Sequence, residues 1–343
     1  MRRVKRTQIY LFFLIAAMAG SCRDRQKADV SGIRLDVKIE RFDQEFGRLK
    51  PADVTEAAPA LQKKYGAFYT DYIQGILSAG SASDTGYYGN LRTILSNPDY
   101  LALKEAVHTK YPDMQAQEEE LTQAFRHVRY YFPEEKIPRL ISFLSGFAVQ
   151  TPIGNDYIGI GLDMFLGADS KFYPALRQSI PQYISRRFTP EYITPRVMET
   201  YIREDLYPEQ DRDRSMLAKM IYNGKVLYCM DALMPDAADT LKIGYTAAQM
   251  EWCREFEGSV WGYFLEQNLL YETDYLKIQK YLAEAPFTPG LGEGNESAPK
   301  LGVWTGWQIV RQYMERNPEV TLQDLLNETD PQKILSGSKY KPK

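Results

Sequence analysis

The sequence predicts an α+β fold dominated by helix. Two patterns lead there. Across residues 57–132, and again from about residue 172 onward, apolar side chains recur at spacings of three and four, the period of an amphipathic helix. Between these regions, "RLISFLSGFAVQ" and "NDYIGIGLDMFL" are short, apolar and rich in β-branched or aromatic residues. The turn cluster "TPIGN" divides them, which reads as a β-hairpin. A chain of 343 residues with 44% hydrophobic residues can bury a substantial core. No repeat, low-complexity tract or charge block divides residues 34–343, which read as one globular domain.

The N-terminus comes first in chain order. Arg2, Arg3, Lys5 and Arg6 precede the eleven residues "IYLFFLIAAMA" (Ile9–Ala19). That run is too short to cross roughly 30 Å of hydrocarbon comfortably. Small residues follow, then Cys22. This is the pattern of a signal peptide over residues 1–21, with Cys22 as a lipobox cysteine that becomes the acylated first residue. Residues 22–33 are then the lipidated cysteine and a polar tether. Acylation anchors a protein stably because each buried CH₂ contributes about 0.8 kcal/mol. The expected location is the cell envelope, with the lipid anchor in the outer membrane. "RDRQK" after Cys22 is not a run of acids that would suggest surface display, so the periplasmic face is expected.

Removing residues 1–21 deletes four basic and no acidic residues, which takes the formal charge from −3 to −7. An acidic exported chain is a poor partner for nucleic acid. The membrane, through the anchor, and other envelope proteins are the expected partners. Cys229 and Cys253 remain; export permits a disulfide between them, and two buried free thiols are the other reading.

"RLDVKIERFD" (Arg34–Asp43) alternates like a strand, and Asp43 can cap a following helix. "LQKKYGAFYTDYIQGIL" and "AQEEELTQAFRHVRYYF" carry helical periodicity; His127 lies in the second, as a solvated or stacked side chain. Gly159 and Gly161 mark a twist, bulge or close approach in the second apolar stretch. Pro181, Pro190 and Pro195 limit or kink the next helices. "PFTPGLGEGNESAPK" (residues 286–300) is a Gly/Pro loop of a length expected to be functional or mobile. Two helices close the chain.

The sequence contains no H-E-x-x-H, C-x-x-C, G-x-x-x-x-G-K-[ST] or G-x-S-x-G. No metal, cofactor or catalytic residue is therefore assigned. A serine nucleophile would need His108 or His127 as its base, and neither has a supporting local context. Glu199 and Glu204 are five apart and point to different sides of a helix; Glu251 and Glu255 share a solvated face. Trp304 and Trp307, three apart in "WTGW", share one helical face. They are the candidate interaction residues, with a core stripe as the plainer alternative.

Eight stretches carry a resemblance. They are "IERFDQEF" (Ile39–Phe46), "FLSGFA" (Phe143–Ala148), "IGIGLDMFLG" (Ile158–Gly167), "YISRRFTPEYITP" (Tyr183–Pro195), "MIYNGKVLYCMDALMPD" (Met220–Asp236), "WCREFEGSVWGYFLEQNLLY" (Trp252–Tyr271), "WTGWQIVRQYM" (Trp304–Met314) and "ILSGSKYKP" (Ile334–Pro342). In this order, over nearly the whole mature chain, they make it resemble the gliding-motility lipoprotein GldB family of Bacteroidetes. The resemblance implies an envelope lipoprotein that supports gliding or the associated type IX secretion machinery, with proteins of that machinery as partners.

Chains of this family are in turn similar to predicted zinc-dependent peptidases, which implies a zincin-like β-hairpin followed by helices. In those peptidases the helix after the strand pair carries H-E-x-x-H, where two imidazoles hold Zn²⁺ and the glutamate activates water. Here "METYI" (Met198–Ile202) takes that place. Glu199 remains, while Met198 and Ile202 stand where imidazoles would be. The resemblance thus implies a motif-less scaffold that is not an enzyme and acts through protein–protein interaction. On this reading Glu199 pairs with Arg196 or Arg203, and a Gln in its place leaves folding normal. Two rivals stay open. One is a degenerate or carboxylate-based peptidase or hydrolase. The other is a peptide- or glycan-binding lipoprotein that uses the "WTGW" helix and the 286–300 loop.

Overall fold

Three short strands lie at the centre of the molecule: β1 (Ile39–Glu40), β2 (Arg139–Phe143) and β3 (Tyr157–Gly161). They form one parallel sheet in the order β1-β2-β3, with Ile39 opposite Leu140 and Leu140 opposite Ile158. The structure is a computed structural model that describes residues 28–343 apart from 211, 293 and 295. The segment expected to be a signal peptide, and Cys22, lie outside the described residues.

The expected hairpin between the two apolar stretches is corrected. β3 runs parallel to β2, and its hairpin mate is the segment 150–154 along its other edge. There the Gly159 amide donates to Pro152 O (2.7 Å), the Gly161 amide to Gln150 O (2.8 Å), and the Gly154 amide to Tyr157 O (3.0 Å). The physical reason lies in the burial. Leu140, Ile158 and Ile160 face one core; Ile141, Phe143 and Tyr157 face another. Strands covered on both faces read as continuous apolar runs, as parallel strands do. The turn in "TPIGN" therefore closes a tighter hairpin than the one read from the sequence.

On one face of the sheet lie α1 (Phe42–Gly47), α2 (Val54–Tyr65), α3 (Ala67–Asp71), α4 (Tyr87–Ser96) and the Tyr100 side of α5 (Pro98–Lys110), whose Leu103 and Val107 belong to the larger core. Their core is aromatic. Phe42 meets Tyr65, Phe68 and Tyr72 edge-on at centroid distances of 4.8, 5.1 and 5.0 Å, an arrangement that aligns ring edges with ring faces.

The larger core lies on the other face, under α6 (Gln115–Tyr131), α7 (Gln182–Ser185), α8 (Ile193–Tyr201), α9 (Met216–Leu233) and α10 (Asp239–Ile243). It continues under α11 (Ala247–Glu255), α12 (Glu257–Glu266), α13 (Tyr275–Ile278), α14 (Leu301–Arg316), α15 (Leu322–Asn327) and α16 (Pro331–Ser338). Helix α9 is buried on most of its circumference, as expected of a helix that is apolar nearly all round. It packs against α14 through Gly224 and Gly306: a β-carbon built on Gly224 would fall 2.3 Å from Gly306 O.

Before β1, the chain runs antiparallel to α6. Arg126 Nη2 donates to Leu35 O (3.0 Å), the Val37 amide to Thr122 Oγ1 (3.0 Å), and the Ile39 amide to Glu118 Oε1 (3.0 Å). Every second extended residue meets every fourth helical one because two strand residues and about one helical turn both rise roughly 6 Å.

One further expectation is revised. His127 is buried, not solvated, and its Nδ1 lies 2.9 Å from Gln123 O one turn back. The 286–300 loop is closed at its base. Thr288 Oγ1 donates to Ala298 O (2.8 Å) and Ser297 Oγ to Thr288 O (2.9 Å), with both side chains buried. Cys229 and Cys253 are buried free thiols, and burial raises the pKa of each.

Candidate functional site

Helix α8 sorts its residues by face. Ile193, Val197, Met198 and Tyr201 point into the core, as does Ile202 just beyond. Arg196, Glu199 and Arg203, three and four apart, share the opposite face. Glu199 Oε2 accepts from Arg196 Nη1 (2.6 Å), and Oε1 accepts from Arg203 Nε (3.0 Å), so the pairing expected from spacing is present with both arginines. Burial alone would raise the Glu199 pKa. The positive charges of Arg196, Arg203 and Lys300 outweigh it and hold the carboxyl at about 2. Met198 and Ile202 are fully buried alkyl and thioether groups.

Lys300 begins α14 in the left-handed region (φ +42°). Its Nζ donates to Glu284 Oε1 (2.5 Å), and Arg187 Nη1 donates to the same oxygen (3.0 Å). Burial pushes Glu284 up, but Lys300 and Arg187 prevail and hold it at about 2. Four cations thus meet two carboxylates, which makes this seam electropositive within an acidic protein.

Beyond α8 the chain makes a π-helical turn, Ile202–Leu206, of a kind that often marks functional positions. It delivers Tyr207 to a cavity of about 340 Å³ between residues 206–210, Arg212 and Asp213, the first half of α9, and residues 326–329 with Pro331. Tyr207 stacks on Tyr222 (5.4 Å between centroids, 27° between planes), and the Arg203 guanidinium lies 5.6 Å from the Tyr222 ring centroid. Lys225 lines this cavity although only 2% of it is exposed. Its Nζ donates to Tyr207 Oη (3.2 Å) and to the main-chain carbonyl of Glu328 (2.5 Å). Burial lowers its pKa to about 8.

At the far end of α9 a second network joins α9, α10 and α14. Arg311 donates through Nε and Nη2 to Asp231 (2.7 and 2.8 Å) and through Nη1 and Nη2 to Asp239 (both 2.8 Å). Lys242 Nζ and Trp307 Nε1 also donate to Asp231 (both 2.9 Å). The assignment of Trp304 and Trp307 as interaction residues is corrected here. They are 2% and 0% exposed, and Arg311 lies flat over the Trp307 ring at 3.7 Å. Helix α14 is enclosed on nearly every side, so the shared face of the two indoles meets core and not solvent.

Two other constellations are structural. The Asp163 carboxylate is fully buried, and burial raises its pKa against the hydrogen bonds it accepts. Those come from the Ser145 amide (2.7 Å), Ser145 Oγ (2.8 Å) and the Phe147 amide (2.6 Å). The grip requires Gly146 and Phe147 at φ +64° and +65°, so it binds "FLSGFA" to "GLDMFLG". Ser142 Oγ donates to Asp43 (2.6 Å) and not to an imidazole; His108 Nε2 lies 3.8 Å from the same carboxylate. A wider depression of about 710 Å³ beside α6 is a solvated face: Glu118, Glu119 and Glu120 are taken up by Lys38, Gln115 and Thr194. Among the described residues no three His, Cys, Asp or Glu side chains converge as a metal site.

The model of a family described as gliding motility protein GldB matches residues 23–342. The chain belongs to this family. No curated protein and no solved structure matches it. The GldB family is by name one of lipoproteins. No helix among the described residues is long and apolar enough to cross a membrane.

Within this GldB-family chain, sequence reasoning found the Glu199 pairing and missed Lys225, Tyr207, Tyr222, Asp163 and the Asp231–Arg311 network. A usable signal existed for two of them. Lys225 and Asp231 are charges in the mostly apolar part of α9 that follows Lys219 and Asn223, where a charge needs a buried partner.

Proposed function

We propose that this GldB-family chain is a non-catalytic envelope lipoprotein that supports gliding motility or type IX secretion by binding other envelope proteins. Its anchor is Cys22, in the outer membrane and on the periplasmic face. The observation that carries the non-catalytic reading is Glu199. A general base must bind a proton near the working pH. This carboxylate, held at about 2 with both oxygens on arginines, does not. A binding role is supported by the exposed apolar side chains Leu265, Tyr271, Tyr275 and Leu276 near α12 and α13, with Leu276 75% exposed.

The test is crosslinking in intact cells, with the captured proteins identified by mass spectrometry. Gliding or type IX secretion components should crosslink to the wild type. They should be lost in a Tyr271→Ser, Tyr275→Ser, Leu276→Ser variant present at equal level, and in Cys22→Ala. Peptide or glycan hydrolysis by the purified protein would sink the non-catalytic part. Capture unchanged in the surface variant would remove the patch from the account.

A further inference from the structure

Three lysine or arginine side chains are buried among the described residues: Arg187, Lys225 and Lys242. Two of them meet a carboxylate, Arg187 on Glu284 and Lys242 on Asp231. Lys225 does not. Its partners are a phenol hydroxyl and a peptide carbonyl, both neutral. Glu328 hydrogen-bonds Lys225 only through its main-chain oxygen; its carboxylate acts on the ammonium from a distance while it pairs directly with Lys333 and the Asp330 amide. Neutral oxygens satisfy hydrogen bonds without neutralising the charge, and a buried cation lacking a counter-ion is strongly unfavourable.

This ammonium lines a cavity and is not sealed in the core. The stacked Tyr207 and Tyr222, with Ile221 and Leu326, give the cavity apolar walls. Glu209 at the same cavity is occupied by Lys219 (2.8 Å). The missing component is therefore one negative charge, delivered by a group with an apolar body. Arg212 and Lys219 also line the cavity, the first exposed and the second held by Glu209, so Lys225 is the one buried cation among its described lining residues. Phosphate recognition draws on several donors or an arginine fork, so a carboxylate suits this floor better.

We propose that the cavity binds a carboxylate that sits next to an aromatic or aliphatic group on a polypeptide partner, with the Lys225 ammonium as its counter-ion. The carboxylate is either a chain terminus or an acidic side chain beside an apolar one. The proposal rests on the partner-binding reading above and adds the chemistry of one contact to it.

The test uses the full-length lipoprotein in detergent and three probes: acetyl-Ala-Phe with a free carboxylate, its C-terminal amide, and acetyl-Glu-Phe amide. Titration calorimetry should show the free acid binding about tenfold or more tightly than the amide, and Lys225→Met should abolish that difference. Binding by acetyl-Glu-Phe amide would assign the site to acidic side chains; its failure, with the free acid bound, would assign it to chain ends. A measurement on the wild type covers the case in which Lys225→Met does not fold. Acetic anhydride labelling of Lys225, read by mass spectrometry, should be slowed by the free acid and not by the simple amide. Equal binding of acid and amide, no binding of either carboxylate probe at millimolar concentration, or labelling indifferent to the acid would each overturn the proposal. These results are separate from the crosslinking outcome: probes can fail while gliding components are still captured, and the reverse pattern would sink only the interaction reading.

Discussion

A β-carbon built on Gly306 would fall 1.9 Å from the carbonyl oxygen of Met220, so α14 lies backbone against backbone on α9. Two neighbouring helices of the larger core approach this closely only because "WTGW" has no side chain at its third position. Gly306→Ala should force them apart and lower stability by about 2 kcal/mol or more, as overpacking of a close contact does. Thermal unfolding checks this. A melting temperature unchanged from wild type would mean that the helices do not meet at this point.

Glu199→Gln should not be neutral for folding, which revises the expectation from sequence. The folded pKa of about 2 lies below the ordinary 4.5, so Glu199 contributes stability above pH 4.5 and loses it as the pH falls toward 2. At neutral pH the variant should be less stable by about 1–3 kcal/mol, because Arg196 and Arg203 lose their shared counter-charge. Its stability should also depend less on pH between 4.5 and 2. Elemental analysis should find no zinc in either form. Stoichiometric zinc in the wild type would count against the non-catalytic reading.

Arg311→Lys keeps the charge and loses the fork. Arg311 makes four hydrogen bonds to Asp231 and Asp239, and an ammonium cannot span both carboxylates in that geometry. A loss of about 1–2 kcal/mol is expected from denaturant titration, with a larger loss for Asp231→Asn, which also weakens the bonds from Lys242 and Trp307. If Arg311→Lys matched wild type, charge alone and not the fork would hold the three helices together.

Lys225 gives a pH slope of the same sign as Glu199, in an alkaline window, but at neutral pH it costs stability where Glu199 adds it. Its folded pKa is about 8 against an ordinary 10.5, so between those values the unfolded chain holds a proton that the folded protein has released. Stability therefore rises with pH across that window, and at neutral pH the buried charge costs about 3 kcal/mol. Lys225→Met should abolish the Lys225 part of the rise and unfold no more readily than wild type at pH 7, since an apolar side chain of similar length removes that cost. A rise of the same size in the variant would assign it to other groups.

The helices were legible because their apolar spacing is local, and so was the Glu199 pairing, whose partners lie three residues before it and four after. The strands were legible as strands, yet their pairing was not. An apolar run such as "YIGIG" does not say in which direction its neighbours run: β3 reads as the antiparallel mate of the previous apolar run, yet it pairs with that run in parallel, and its antiparallel mate is the turn segment on the other edge. Trp304 and Trp307 illustrate a second limit. Two large side chains on one helical face read the same whether that face meets solvent or another helix. What decides it is Gly224, some eighty positions earlier and on a different helix. The Asp231–Arg311 pair, eighty residues apart, and the carbonyl of Glu328 over Lys225 are contacts between distant segments that no local pattern encodes.

The ladder between residues 35–39 and α6 has a mechanical consequence. If the body hangs from Cys22, any drag on it enters through the short tether, passes the buried Val30 and reaches Leu35, Val37 and Ile39. The three bonds to Arg126, Thr122 and Glu118 lie across the direction of pull and are evenly spaced, so they are strained together and not peeled one by one. Helix α6 then passes the load into the larger core, and the parallel pairing of β1 with β2 passes it to the sheet. A protein attached in this way can transmit tension between a membrane and whatever it grips without first unravelling at its attachment point.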